Sequence, residues 1–76
     1  MKWYKPLCTF EVIADNYYYP NARSQSIYLH EDEEFSVWNK QKDLFDADCE
    51  YWATHDGWLL KIEKKHLAHL VEVNDL

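Results

Sequence analysis

The stretch that most constrains the fold is Glu50–Ile62, where Glu-Tyr-Trp-Ala-Thr-His precedes Asp56-Gly57 and Trp-Leu-Leu-Lys-Ile follows it. Aromatic, β-branched and aliphatic residues flank a dipeptide that favours a tight hairpin turn. Gly57 is the only glycine in the chain, so its position is not a by-product of glycine abundance. A two-residue type I′ turn is expected, with positive φ at both Asp56 and Gly57; glycine adopts it without steric cost and aspartate tolerates it. Beyond the turn, Trp58, Leu60 and Ile62 alternate with Leu59 and Lys61. That is the period of a strand with one buried face. A central hairpin is the element against which the rest of the chain is expected to pack.

With 76 residues there is material for a single domain and one small core. Four Trp, six Tyr and three Phe supply it. Each buries roughly 150–250 Å² when packed, so a few can stand in for disulfides. Together they exceed what so small a core hides, and some are therefore expected on the surface, where Tyr and Trp favour binding sites. Fourteen acidic residues against eight basic ones leave a net charge of −6. This argues against direct nucleic-acid binding, which needs Lys and Arg to neutralise phosphates. It suits a protein partner with a basic surface, or serves solubility alone. Cys8 and Cys49 are too few for a disulfide framework and are expected as free, buried thiols. The opening Met-Lys-Trp-Tyr-Lys-Pro lacks the apolar run of a secretory signal, and no stretch is long enough to span a bilayer. A soluble, reduced, cytoplasmic protein is the expectation.

Along the chain, Met1–Lys5 reads as a short lead, and Pro6 as the entry to a strand over Leu7–Ala14. In that strand Phe10, Val12 and Ala14 share one face and Thr9, Glu11 and Ile13 the other. Asp15–Ser26 is a long polar connection with turn pairs at Asp15-Asn16 and Pro20-Asn21. Between them stand Tyr17, Tyr18 and Tyr19, which cannot all point inward. Ile27–Leu29 is a short extended piece. His30–Glu34 is an acidic turn leading to a strand with Phe35 and Val37 inward and Ser36 and Trp38 outward. Asn39–Asp48 reads as a second polar loop whose only apolar pair, Leu44-Phe45, is either a lid on the core or an exposed anchor. After the hairpin, Glu63–Leu70 predicts one or two helical turns, with Leu67, Leu70 and Val71 at helical spacing. Val71-Glu72-Val73 predicts a closing strand, and Asn74–Leu76 is expected to fray.

Over Val12 to Val73 this arrangement resembles the SH3-like barrel. Asp15-Asn16-Tyr17-Tyr18-Tyr19-Pro20 sits where SH3 domains carry clustered tyrosines in a long loop. Leu29–Val37 looks like their acidic turn and the apolar strand after it, Tyr51-Trp52 like their paired aromatics, and Asp56-Gly57 like their distal turn. Leu70–Val73 is similar to their ending, after a 3₁₀ turn. The resemblance implies a mainly β fold: a small five-stranded SH3-like barrel with a short helix or 3₁₀ turn before the last strand. Members that bind proline-rich peptides carry a proline and a tyrosine in that turn, where this chain has Lys64-Lys65-His66.

Catalytic patterns are weak. His66 and His69 share a helical face, but the Cys/His spacing of a zinc site is missing, and a solvated helix face is the expected role. Cys49 lies among Asp46, Asp48 and Glu50, whose charge makes it a poor nucleophile. One glycine cannot build a phosphate-cradling loop. A non-enzymatic chain without metal or cofactor is expected. In size and acidity it is similar to the small inhibitor proteins that phages direct against host or defence machinery, which would act in the host cytoplasm. The expected partner-binding residues are Tyr17, Tyr18, Tyr19, Glu31, Asp32, Glu33, Glu34, Trp38 and Tyr51. Further carboxylates at Asp43, Asp46, Asp48 and Glu50 could contribute to the same acidic surface. The alternatives are an SH3-type peptide reader using Tyr17, Tyr19, Trp38 and Tyr51, and an assembly subunit whose surplus aromatics form an oligomer contact.

Overall fold

Alternating apolar and polar side chains fold into seven strands rather than five. The computed structural model describes residues 1–73, and the expected fraying of Asn74–Leu76 lies outside them. In chain order the elements are β1 (Lys2–Pro6), β2 (Phe10–Asn16), β3 (Gln25–Leu29), β4 (Phe35–Lys42), β5 (Cys49–Thr54), β6 (Trp58–Glu63), α1 (Lys64–Leu67) and β7 (Leu70–Val73). One antiparallel sheet of order β3-β2-β6-β5-β4-β1-β7 contains all seven strands and curls into half a barrel. The fold is mainly β, as expected from the sequence.

The hairpin β5–β6 lies at the centre, with Trp52 opposite Leu60 and Ala53 opposite Leu59. Its turn differs from the expected type I′ form. Three residues, His55 to Gly57, connect the strands, and only Gly57 has positive φ, at 91°. The Gly57 N–H donates to the Thr54 carbonyl at 3.2 Å, and the Thr54 hydroxyl accepts the Trp58 N–H at 3.2 Å. A four-residue turn closed by a left-handed residue is the usual three-residue hairpin connection. Asp56 is thereby relieved of positive φ, and the whole conformational demand falls on Gly57.

Buried side chains line the concave face. Val12 and Ala14 from β2, Val37 from β4, Trp52 from β5, and Leu60 and Ile62 from β6 form the core with Tyr4. Phe10, Phe35 and Trp58 pack against it, which agrees with the alternation read along β2, β4 and β6. Full burial of a residue such as Leu60 or Ile62 stabilises the fold by about 1.5–3 kcal/mol.

Three further expectations are corrected, besides the strand read over Leu7–Ala14, which spans Phe10–Asn16. Lys2–Pro6 is a strand rather than a lead: β1 pairs with β4 and β7, and buried Tyr4 lies with its ring centroid 4.5 Å from that of Trp52. Pro6 is tolerated because pairing with β4 stops at Tyr4, so its missing N–H interrupts no ladder there. β4 runs on to Lys42, shortening the second polar loop, because backbone pairing with β5 continues past the last inward side chain. The Lys40 ammonium lies 4.5 Å and 4.2 Å from the ring centroids of Tyr4 and Trp52, covering their edge of the core.

The third correction concerns the helix, which is a single turn with Leu67 exposed and His66 buried. The His66 ring stacks on Phe10 with centroids 5.3 Å apart, and its Nδ1 accepts the Glu63 N–H at 3.0 Å. The bond requires an unprotonated Nδ1. Burial lowers the His66 pKa below the ordinary 6.5, with the Glu63 carboxylate opposing that shift. A base with a depressed folded pKa contributes stability that is present above its unfolded pKa and is lost as pH falls through the folded one. Stability should therefore decline as pH falls below about 6.5 and the buried imidazole is forced to protonate, and His66→Asn should flatten that decline in chemical-denaturation series. Gly57→Val should destabilise the fold by about 1–3 kcal/mol or more, since valine resists positive φ. A Cβ at Gly57 would also stand 2.9 Å from Tyr18 Cε2. An unchanged thermal midpoint would contradict the turn geometry.

Candidate functional site

At the hairpin turn the tyrosine loop folds across β5–β6. The Tyr17 N–H donates to the Gly57 carbonyl at 2.8 Å, and the Tyr18 ring lies over Gly57. The Asn16 side-chain oxygen accepts the N–H groups of Tyr18 and Tyr19 at 3.0 Å and 3.1 Å, the Asx turn expected at Asp15-Asn16. Asp15 accepts the Ser24 hydroxyl, closing the base of the loop. Tyr19–Ala22 makes a second turn around Pro20-Asn21, with the Ala22 N–H on the Tyr19 carbonyl at 2.9 Å.

These bonds place three of the sequence-predicted residues together. Tyr17 meets Trp38 edge-on with ring centroids 5.2 Å apart, and Tyr18 meets Tyr17 edge-on at 5.6 Å. Trp38 is turned outward at the register shift between Val37 and Asn39, where β4 bulges against β5. The resulting strip of Tyr18, Tyr17 and Trp38 is 70%, 41% and 46% exposed, unusually accessible for residues already in mutual contact. Tyr19 is exposed too, with no aromatic neighbour among the described residues.

The acidic turn is equally well tied. Glu31 and Asp32 donate their N–H groups to the Thr9 hydroxyl and the Pro6 carbonyl, both at 3.0 Å. Glu33 donates its own to His30 at 3.1 Å, and Asp32 takes φ of 63°. Glu31, Asp32, Glu33 and Glu34 are all exposed, and none is ion-paired within the described residues. A groove of about 270 Å³ runs between this turn, β3 and the hairpin end. Leu29, Phe35 and Trp58 contribute its apolar lining; Glu33, Glu34 and Asp56 contribute carboxylates. The sequence shows no local signal for it, because its walls come from two segments far apart in the chain, Ile27–Phe35 and Thr54–Leu60.

Tyr51 stands apart. Its hydroxyl donates to the Asp43 carboxylate at 2.8 Å, and that bond raises its pKa. Asp43 also accepts the Phe45 and Asp46 N–H groups at 2.7 Å and 3.1 Å, the first being the main reason its carboxyl is held below the ordinary value. The loop so organised leaves Leu44 and Phe45 outside the core at 93% and 97% exposure, which decides between lid and exposed pair. Cys49 closes the same loop: it is buried, and its thiol donates to Asp46 Oδ2 at 3.3 Å. Burial, then that carboxylate, pushes the thiol pKa up.

Groups with chemical potential are dispersed. Ser36 Oγ and His55 Nδ1 are 2.9 Å apart, the serine half-buried and the histidine exposed, and within the described residues no carboxylate hydrogen-bonds the imidazole to orient it. His66 is buried rather than solvated, and His69 alone of that pair faces solvent. No group of three or more His, Cys, Asp or Glu side chains among the described residues is disposed to hold a metal ion. No helix among them is long and apolar enough to cross a membrane. No protein-family profile, curated protein or solved structure matches the chain.

Both cysteines are free, but Cys8 lies half-buried in the bend after β1 rather than within a packed strand. Native alkylation should therefore modify Cys8 first and leave Cys49 slow until the protein unfolds. Faster labelling of Cys49, followed by mass spectrometry of peptides, would contradict its placement.

Proposed function

We propose that this chain is a non-catalytic protein-binding module that presents an acidic, aromatic-rich surface to a partner with a basic face. The observation that carries the proposal is the fixed aromatic strip of Tyr18, Tyr17 and Trp38 at the hairpin end whose Asp56 also faces the groove below the acidic turn. Exposed Tyr and Trp whose rings already pack edge to edge, on a loop tied by backbone hydrogen bonds, lose less conformational freedom on binding, which makes them effective anchors. Unpaired carboxylates nearby steer a basic partner and select against an acidic one.

The SH3-like barrel remains the proposed finer class for this half-barrel. Its tight turn, its single helical turn before β7 and its tyrosine loop are the features that support the likeness. Within the binding class, the narrower proposal is a phage-type inhibitor that occupies a basic surface of a host or defence protein. Size and net charge of −6 are what favour it.

The test is a kinetic binding series against a partner recovered with the protein as bait. Combined Glu31→Lys, Glu33→Lys and Glu34→Lys should slow association about tenfold and flatten its salt dependence, as steering is screened over about 8–10 Å. The thermal midpoint should barely change, since exposed charges contribute little to stability. Tyr18→Ala or Trp38→Ala should instead hasten dissociation, costing about 1–3 kcal/mol. Binding indifferent to salt and to the triple reversal would end the acidic-surface proposal.

A further inference from the structure

We propose that the groove beside β3 takes an extended peptide segment bearing lysine or arginine, which joins the sheet as an added strand. The inference rests on the protein-binding reading above and specifies its site and ligand chemistry. β3 pairs only with β2 among the described residues. Every second residue on its other side therefore presents an unpaired N–H and C=O.

Exposed edges are normally blunted by charge or proline. Gln25-Ser26-Ile27-Tyr28-Leu29 contains neither. The opposite edge, β7, is shorter and carries Glu72, which pairs with Lys2 at 3.4 Å. The unguarded edge is also the one that borders the groove, since Ile27, Tyr28 and Leu29 all line it.

Chemistry selects the occupant. Glu33, Glu34 and Asp56 rim the groove, and no lysine or arginine among the described residues lines it. A long basic side chain can lay its aliphatic stem on Leu29, Phe35 and Trp58 while its charged head reaches those carboxylates. Successive side chains of a strand alternate in direction, so every second residue of the incoming segment would point toward the groove. At about 270 Å³ the space lies below the usual range for a drug-sized ligand but suits side chains of a bound strand. A second copy of this chain fits less well, because it would bring the same unpaired carboxylates on a chain of charge −6 against each other.

The experiment is an amide hydrogen-exchange and chemical-shift titration of the full chain with a capped heptapeptide alternating lysine and valine. Controls are the same peptide with alternate backbone nitrogens methylated and a glutamate–valine counterpart. The lysine peptide should slow exchange at alternate β3 amides, and both controls should bind about tenfold more weakly or worse. Glu33→Gln with Glu34→Gln should weaken the lysine peptide about tenfold while leaving the thermal midpoint unchanged. The inference is overturned by no saturable binding of the lysine peptide, by binding insensitive to N-methylation, or by β3 protection that depends only on protein concentration, the signature of self-pairing. Should a basic protein partner respond to the triple charge reversal while β3 exchange stays unchanged, the groove assignment fails and the wider reading stands. Indifference of that partner to the charge reversal removes both.

Discussion

The aromatic part of the candidate site is built around one backbone conformation, the positive φ of Gly57. It closes the central hairpin, and the missing side chain leaves room for the Tyr18 ring. The adjacent carbonyl then receives the Tyr17 N–H, so a loop far away in sequence is fastened to the turn. Trp38, turned outward by the irregularity in β4, meets Tyr17 there. A single steric fact thus links the centre of the sheet to the exposed rings of the tyrosine loop. The penalty for any other residue there is conformational and steric at once.

Charge is arranged by the same economy. The acidic turn is fixed through its backbone N–H groups, on Thr9, Pro6 and His30, which leaves its side chains free of structural duty. Asp43 and Asp46 do the opposite, since their carboxylates accept backbone N–H groups and shape the loop that bears Leu44 and Phe45. Acidic residues in this chain therefore divide by what their oxygens bind. Those already satisfied build structure, and those left in water are available to a partner.

Much of the fold was legible because the relevant forces are local. The lone glycine marked the hairpin, and the alternation of Val12 and Ala14 with Ile13 gave the buried face of β2 directly. The run from His30 to Glu34 turns where its side chains suggest, whereas Asp15 and Asn16 stay in β2, opposite Leu59 and Trp58, and the chain turns only after them. β1 was missed because Tyr4 is buried by Phe35 and Trp52, which belong to other strands. The extension of β4 was hidden since Asn39–Lys42 carries no apolar side chain to signal it, its one contact with the core being the Lys40 ammonium over Tyr4 and Trp52. His66 misled for a similar reason: its Phe10 neighbour lies on β2. Among the site residues, Tyr17, Tyr18 and Trp38 converge, whereas Tyr51 serves the Asp43 loop. The groove was invisible, although an uncharged, proline-free β3 was a hint of an edge awaiting a partner.

The most direct measurement of the central claim is native-state amide hydrogen exchange resolved at Tyr17. The account predicts that this N–H, although it lies just beyond β2 in a surface loop, is protected to the same degree as the central β5–β6 amides. Tyr18 and Tyr19, bonded only to an exposed side chain, should exchange far sooner. Exchange of Tyr17 as fast as that of Tyr18 and Tyr19 would show that the loop is not fastened to the turn, and would contradict the account.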